Sequence, residues 1–180
     1  MARLPDRLAA GPIELQRWRD DHLDALLSAI ESSLPELQPW MPWANPAPTA
    51  EAERAVLRGA VAAFDADQEW GYFLVETGTG ELVGGCGLHR RSGPDTVEIG
   101  YWVRSDRTRR GYATAAAGAL TAAALHHLAE IQQVEIRMDT ANSASAAVPP
   151  KLGFRLVGEE ERERLAPGQT GRGLVWVMDR

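Results

Sequence analysis

Cysteine is almost absent. Cys86 stands alone among 180 residues, which excludes an intramolecular disulfide and a cysteine-built metal cluster, so no metal is expected. No apolar run is long enough to span a bilayer either: the longest, Ala113 to Leu125, is too short and too rich in alanine. Positive charge is in deficit. The formal net charge is −6, so the broad basic surface needed for nucleic acid or an anionic membrane is missing. Arg3, Asp6 and Arg7 interrupt the first ten residues, where a secretory leader would place its apolar stretch, and a cytoplasmic protein is expected. Hydrophobic content of 44% and charged content of 24% are those of a globular chain. Its length suits a single domain, 1–180 with a core of about 12–178, able to bury roughly two-thirds of its unfolded surface.

What is present concentrates between Glu98 and Thr114. This segment reads as a strand, then an arginine-rich glycine turn, then an alanine-rich helix from about Gly111 to His127. The helix begins badly. Its natural N-cap is Arg110, where Ser, Thr, Asp or Asn would satisfy free amides. Arg109 and Arg110 also set positive charge against the positive end of the helix dipole. A bound phosphate or pyrophosphate at Arg109, Arg110, Gly111, Tyr112, Ala113 and Thr114 removes both problems, because amides and guanidinium groups then converge on it. The other solution is Thr108 turning back as a cap. Arg104 and Arg107 belong to the same basic cluster, which suits a small polyanion.

The remaining pattern surrounds this segment with strands and helices. Ile13–Trp18 alternates as an opening strand, and Asp20 is placed to cap a helix carrying Leu23, Leu26, Leu27, Ile30 and Leu34. A proline- and tryptophan-rich link, Pro35–Pro48, precedes a second helix opened by Thr49. Trp70–Glu76 and Leu82–His89 read as a hairpin around Thr77-Gly-Thr-Gly80, followed by strands Thr96–Val103 and Val134–Thr140. A short helix after Asn142 contains Pro149-Pro150, and strands Arg155–Leu165 and Arg172–Met178 complete the chain. The order β-α-α-β-β-β-α-β-α-β-β describes a mixed α/β domain.

Three motifs, in order and at matching distances, carry a family resemblance: Trp40-Met-Pro-Trp43; Ile99-Gly-Tyr-Trp102 leading into Arg109-Arg-Gly-Tyr-Ala-Thr114; and Asn142-x-x-Ser145 followed by Lys151-Leu-Gly-Phe154. The chain resembles the GNAT (Gcn5-related N-acetyltransferase) superfamily over about residues 12–178. Within it, the likeness is to the RimJ/RimL-type branch, named for enzymes that acetylate N-termini of ribosomal proteins. The resemblance implies an acyl-CoA N-acyltransferase fold: a mostly antiparallel mixed sheet, flanking helices, and acetyl-CoA in a gap between splayed strands 96–103 and 134–140. It implies a pyrophosphate cradle at Arg109–Thr114 and a thioester carbonyl polarised by a backbone amide near Trp102 or Val103, where a bulge interrupts the ladder. Asn142 and Ser145 then contact the pantetheine arm and sulfur, with Ser145 the acid for the departing thiolate. Lys151 joins the cofactor side, in an orientation that the prolines leave open. The family motif carries Gln or Arg where this chain has Thr108. A homodimer fits the branch, although no sequence feature requires one.

The bond to be made is an amide, so the acceptor is a primary amine: a protein N-terminus or a small molecule. An α-amine with a pKa of about 7.7–8.0 is partly neutral already, whereas a lysine-type amine near 10.4 needs a base. Glu98 and His89 are the candidate bases, and a glutamate of the penultimate strand, among Glu159, Glu160, Glu161 and Glu163, is a further one; alternation puts Glu159, Glu161 and Glu163 on one face without fixing which face meets the acceptor. The resemblance implies that the loop holding Trp40 and Trp43 walls the acceptor pocket, while buried indoles also pin a loop to the core, so the two are expected to divide these tasks. Cys86, in Gly84-Gly-Cys-Gly87, has no histidine partner in the pattern and is not read as a nucleophile. The competing reading is an acyl-CoA-binding sensor without catalysis; Asn142, Ser145 and Glu98 argue against it. No Gly-x-x-x-x-Gly-Lys-Ser/Thr or Gly-x-Gly-x-x-Gly motif points to another phosphate ligand.

Overall fold

The computed structural model describes residues 3–180. One sheet holds β1 (Arg7–Ala10), β2 (Ile13–Arg17), β3 (Trp70–Glu76), β4 (Leu82–His89), β5 (Thr96–Val103), β6 (Gln133–Asp139), β7 (Arg155–Glu161) and β8 (Arg172–Asp179). Its order is β1-β2-β3-β4-β5-β6-β8-β7, antiparallel throughout except for the parallel pair β5/β6. A parallel pair needs a crossover, and the helix α4 (Tyr112–His127) supplies it. The other helices are α1 (Leu23–Glu31), α2 (Leu34–Leu37), α3 (Ala50–Asp65) and α5 (Ser143–Ala146).

Strand alternation divides the interior in two. On one face Tyr72, Leu74, Val97 and Ile99 pack with Ala116, Ala117 and Leu120 of α4, whose small side chains let the helix lie close to the sheet. On the other, Phe73 and Val75 meet Leu23, Leu26 and Ile30 of α1 and Leu57 of α3. The helical layer on this second face packs against β3 and β4.

Several sequence expectations are corrected. An extra strand, β1, precedes Ile13: Gly11, at φ +61°, turns the chain so that Arg7–Ala10 pairs back on β2. Asp20 caps nothing and sits instead in a 3-10 turn, Asp20–His22, ahead of α1. Thr49 does cap α3, its hydroxyl accepting from the Ala52 amide at 3.2 Å. Pro149 and Pro150 are not inside a helix; they open a separate 3-10 turn, Pro149–Leu152, where a missing N–H costs no ladder bond. The penultimate strand stops at Glu161, so Glu163 drops out, and a register shift between Leu156 and Gly158 re-aims its face.

Candidate active site

The gap arises where β5 loses its parallel neighbour. Pairing runs from Thr96–Gln133 to Ile99–Ile136 and then stops, while β6 continues along β8 as far as Asp139–Gly173. The Arg104 amide bonds the Val83 carbonyl on the β4 side at 2.8 Å. Alternation therefore turns the amides of Gly100 and Trp102 toward β4, and those of Tyr101 and Val103 into the gap. Of the two expected donors, Val103 faces the opening and Trp102 does not. The expected bulge is also absent: β4 and β5 pair without interruption from Gly84–Val103 to His89–Glu98. The irregularity lies on the far edge of β4, where Val83 is extra between Leu74–Gly84 and Val75–Leu82.

Beside the gap, α4 begins at Tyr112 with Gly111, not Arg110, as its N-cap. Gly111 has φ +80° and Arg109 φ +60°, so two left-handed residues flank Arg110 and turn successive amides the same way. A concave run of N–H groups of this kind is suited to an anion. The first ladder bond of the helix is Ala115 N–H to Gly111 O at 2.9 Å. No side chain caps the terminus, no acidic residue occupies its first turn, and Thr108 spends its hydroxyl on Ser105 O at 3.0 Å. Thr108 is thus excluded as the cap. The left-handed Arg109 costs about 1 kcal/mol in a non-glycine residue, strain of the kind that collects at ligand sites.

The basic cluster divides. Arg104 and Arg107 are only 19% exposed and are bound to Asp106 and Glu81, so they brace the turn from behind. Arg110 lies 3.4 Å from Glu76. Tyr112 donates its hydroxyl to the same carboxylate; this bond is the main cause of a lowered Glu76 pKa, with Thr79 and the nearby arginines adding to it. Among the described residues Arg109 makes no ion pair, unlike Arg104, Arg107 and Arg110.

Across the gap, Asn142 caps α5 through its side-chain oxygen, which accepts from the Ser145 amide at 3.1 Å. Ser145 Oγ donates to the Tyr101 hydroxyl at 3.1 Å, and Tyr101 donates onward to the Ser145 carbonyl at 3.0 Å. Burial pushes the Tyr101 phenol up to about 12, with the Ser145 bond opposing, so it stays protonated at neutral pH. Sequence reading missed Tyr101. Its signal was the alternation within Ile99-Gly-Tyr-Trp102, which places Tyr101 on the α4 face with Ile99 and Val103. Lys151 is exposed on the 3-10 turn whose Leu152 packs against Gly118 of α4. Cys86 is buried opposite Tyr101 in the register, and burial pushes its thiol up, the reverse of what a nucleophile requires.

The opposite face of the sheet carries the other candidates. Gly71, Gly87 and Gly100 align across β3, β4 and β5 as a bare floor, with the Trp18 indole over Gly71. Trp43, 41% exposed, stands 6.0 Å from the Trp102 ring at 57°. Trp40 is half-buried, and its carbonyl accepts from Gln169 at 3.0 Å. Trp40 thus belongs to the pinned side of the loop and Trp43 to the open side. His89 and Glu98 are register partners here. The Glu98 side chain is 10% exposed and 3.3 Å from Arg91. Glu135 follows in register, held by Arg137 and Ser92, and Arg137 also holds Glu160. A cleft of about 510 Å³ continues from these groups over β6, β8 and β7, lined in part by Val175 and Val177.

A mixed sheet opened at its one parallel pair, beside a basic and uncapped crossover helix, is the acyl-CoA N-acyltransferase fold. The family profile described as "Acetyltransferase (GNAT) domain" matches residues 13–155, and the chain belongs to this acetyltransferase family. Among solved structures it is similar to RimL, the ribosomal L7/L12 α-N-protein acetyltransferase in complex with coenzyme A. The TM-score is 0.87 at 19% identity, covering 96% of this chain and 97% of that one. It is similar also to the microcin C7 self-immunity acetyltransferase MccE in complex with acetyl-CoA and AMP, with TM-score 0.85, 16% identity and coverages of 94% and 93%. A third is the Salmonella typhimurium enzyme that modifies the N-terminal serine of L7/L12, with TM-score 0.82, 18% identity and 98% of each chain covered. Identities at this level establish a shared fold. Comparison with curated proteins returned no match.

Proposed function

We propose that this acetyltransferase binds acetyl-CoA between β5 and β6 and transfers its acetyl group directly to a primary amine in a ternary complex. The observation that carries this reading is the coincidence of the strand gap with unpartnered amides at Arg109–Thr114. The pyrophosphate rests on those amides and on Arg109, and the thioester lies along β5 with its carbonyl toward the Val103 amide. Such a donor acts most strongly when it meets the charge that develops on oxygen. Ser145 and Tyr101 then form a two-hydroxyl relay at the sulfur: one turns its proton to the thiolate while the other keeps it hydrogen-bonded. Asn142 holds the Ser145 turn in place, and Lys151 lies on the cofactor side. The amine approaches over the glycine floor between Trp43 and His89, with the rest of the acceptor along the 510 Å³ cleft.

The acceptor is a peptide α-amine or a small-molecule amine, and a thiol-release assay with acetyl-CoA separates them. Release with N-terminally free peptides alone identifies protein N-terminal acetylation; release with small amines alone identifies metabolite modification. Acetyl-CoA binding without release from either pool would overturn the catalytic reading. Ser145→Ala is expected to lower kcat about tenfold, and Ser145→Ala with Tyr101→Phe about a hundredfold, the low end for general acids because a thiolate leaves readily. Acetyl-CoA affinity by calorimetry should change far less. Full turnover in the double variant would show that water protonates the sulfur.

A further inference from the structure

Resting on that reading, we infer that His89, oriented by Glu69, is the base that removes the proton from the acceptor amine. Glu69 Oε2 lies 3.0 Å from His89 Nδ1. A carboxylate only accepts, so Nδ1 carries the hydrogen and Nε2 of the neutral ring is left with its lone pair. That nitrogen lies over the glycine floor, 3.3 Å from the position of a Cβ on Gly87 and 3.6 Å from one on Gly100. Gly100 is the first residue of β5 beyond its last pair with β6. The basic nitrogen therefore stands at the mouth of the gap, on the face opposite α4, and the absence of side chains on Gly87 and Gly100 is what lets the ring lie there.

Glu98, the other base expected from sequence, is held differently. It lies beside His89 in the register, but Arg91 engages its carboxylate and little of its side chain is exposed. The charged groups facing His89 are Glu69 on the Nδ1 side, Glu98 with Arg91 from β5 and its loop, and Glu135 with Arg137 beyond them. Arg90 is directed away, over the Trp70 ring at 5.1 Å. Glu69 is a positioning residue: it selects the tautomer and holds the ring.

The amine lone pair forms the C–N bond while the carbonyl π pair moves to oxygen, and Nε2 of His89 takes the proton from nitrogen. The oxygen pair re-forms the carbonyl as the C–S pair departs with sulfur, which takes a proton from the Ser145–Tyr101 relay. His89 returns its proton to water, and water restores the relay.

The test measures coenzyme A release with two probes, a serine-initiated hexapeptide and phenylethylamine, across pH 6.5 to 9.5. His89→Gln should lower kcat roughly a hundredfold near neutrality, with acetyl-CoA affinity by calorimetry unchanged. The defect should shrink as pH rises, because hydroxide then takes from nitrogen the proton that Nε2 would have removed. Glu69→Ala should give a smaller loss with the same trend, and Glu69→Asp should recover most of it. A purely structural role would lower turnover equally at every pH. Wild-type turnover in His89→Gln at neutral pH, or a pH-independent loss in both variants, overturns the assignment while leaving the acetyltransferase reading intact. Silence of the wild-type protein with both probes overturns the two together.

Discussion

Gly111→Glu is expected to abolish coenzyme A binding while the fold survives. A Cβ at Gly111 meets nothing within 4 Å, so the glutamate side chain enters open space directly before the free amides of α4. There it occupies the anion position with its own carboxylate. Repulsion between two unit charges about 4 Å apart is worth about 4 kcal/mol at the effective dielectric of a protein surface. Each 1.4 kcal/mol is a factor of ten, so the dissociation constant should rise by roughly two to three orders of magnitude. Gly111→Ala is the control. It shares the strain of φ +80°, about 1 kcal/mol in the left-handed region, but adds no charge, and should lower the melting temperature by about 2–4 °C. Calorimetry with coenzyme A separates the two. Equal affinity in the glutamate variant would place the pyrophosphate elsewhere.

The second large effect falls on stability and binding together. Gly84→Ala drives a Cβ into the Trp102 carbonyl oxygen and to 3.1 Å from the Val103 Cα. Both are backbone atoms of the paired strand, so no side chain can rotate aside and the strands must part. Overpacking of this kind costs about 3 kcal/mol or more when it cannot relax, a fall of roughly 6–12 °C in melting temperature for a chain of this size. Because Gly84 pairs with Val103, the displacement also moves the gap-facing amide away from the thioester, and coenzyme A affinity should fall with stability. Gly78→Ala, in the hairpin turn with no atom within 4 Å of its Cβ, should leave both unchanged. Melting curves and titrations that make the two variants alike would refute the close approach at Gly84.

How much of this was legible before folding differs from element to element. The uncapped start of α4 was legible because free amides and adjacent arginines are local properties of a short segment. Its cap residue was misplaced by one, since the left-handed conformations of Arg109 and Gly111 depend on how the chain leaves β5. Thr49 could be recognised as a cap and Asp20 could not be rejected as one, because the 3-10 turn at Asp20–His22 is set by where α1 packs. Arg104 and Arg107 looked like ligand groups in a linear cluster. Only the fold brings Glu81, more than twenty residues away, to neutralise them.

The amino-acid sequence by itself determined the order of most elements, the family resemblance, the uncapped arginine-flanked start of α4 and the lack of a second cysteine for a disulfide within these 180 residues. Each of these rests on periodicity, composition or residues adjacent along the chain. The tertiary structure decided which groups face one another. The Ser145–Tyr101 hydrogen bond spans 44 residues and the His89–Glu69 pair 20, and each depends on strand register and on which edge of β5 loses its neighbour. Register is a long-range property: a one-residue slip would send every side chain to the opposite face while leaving local sequence unchanged.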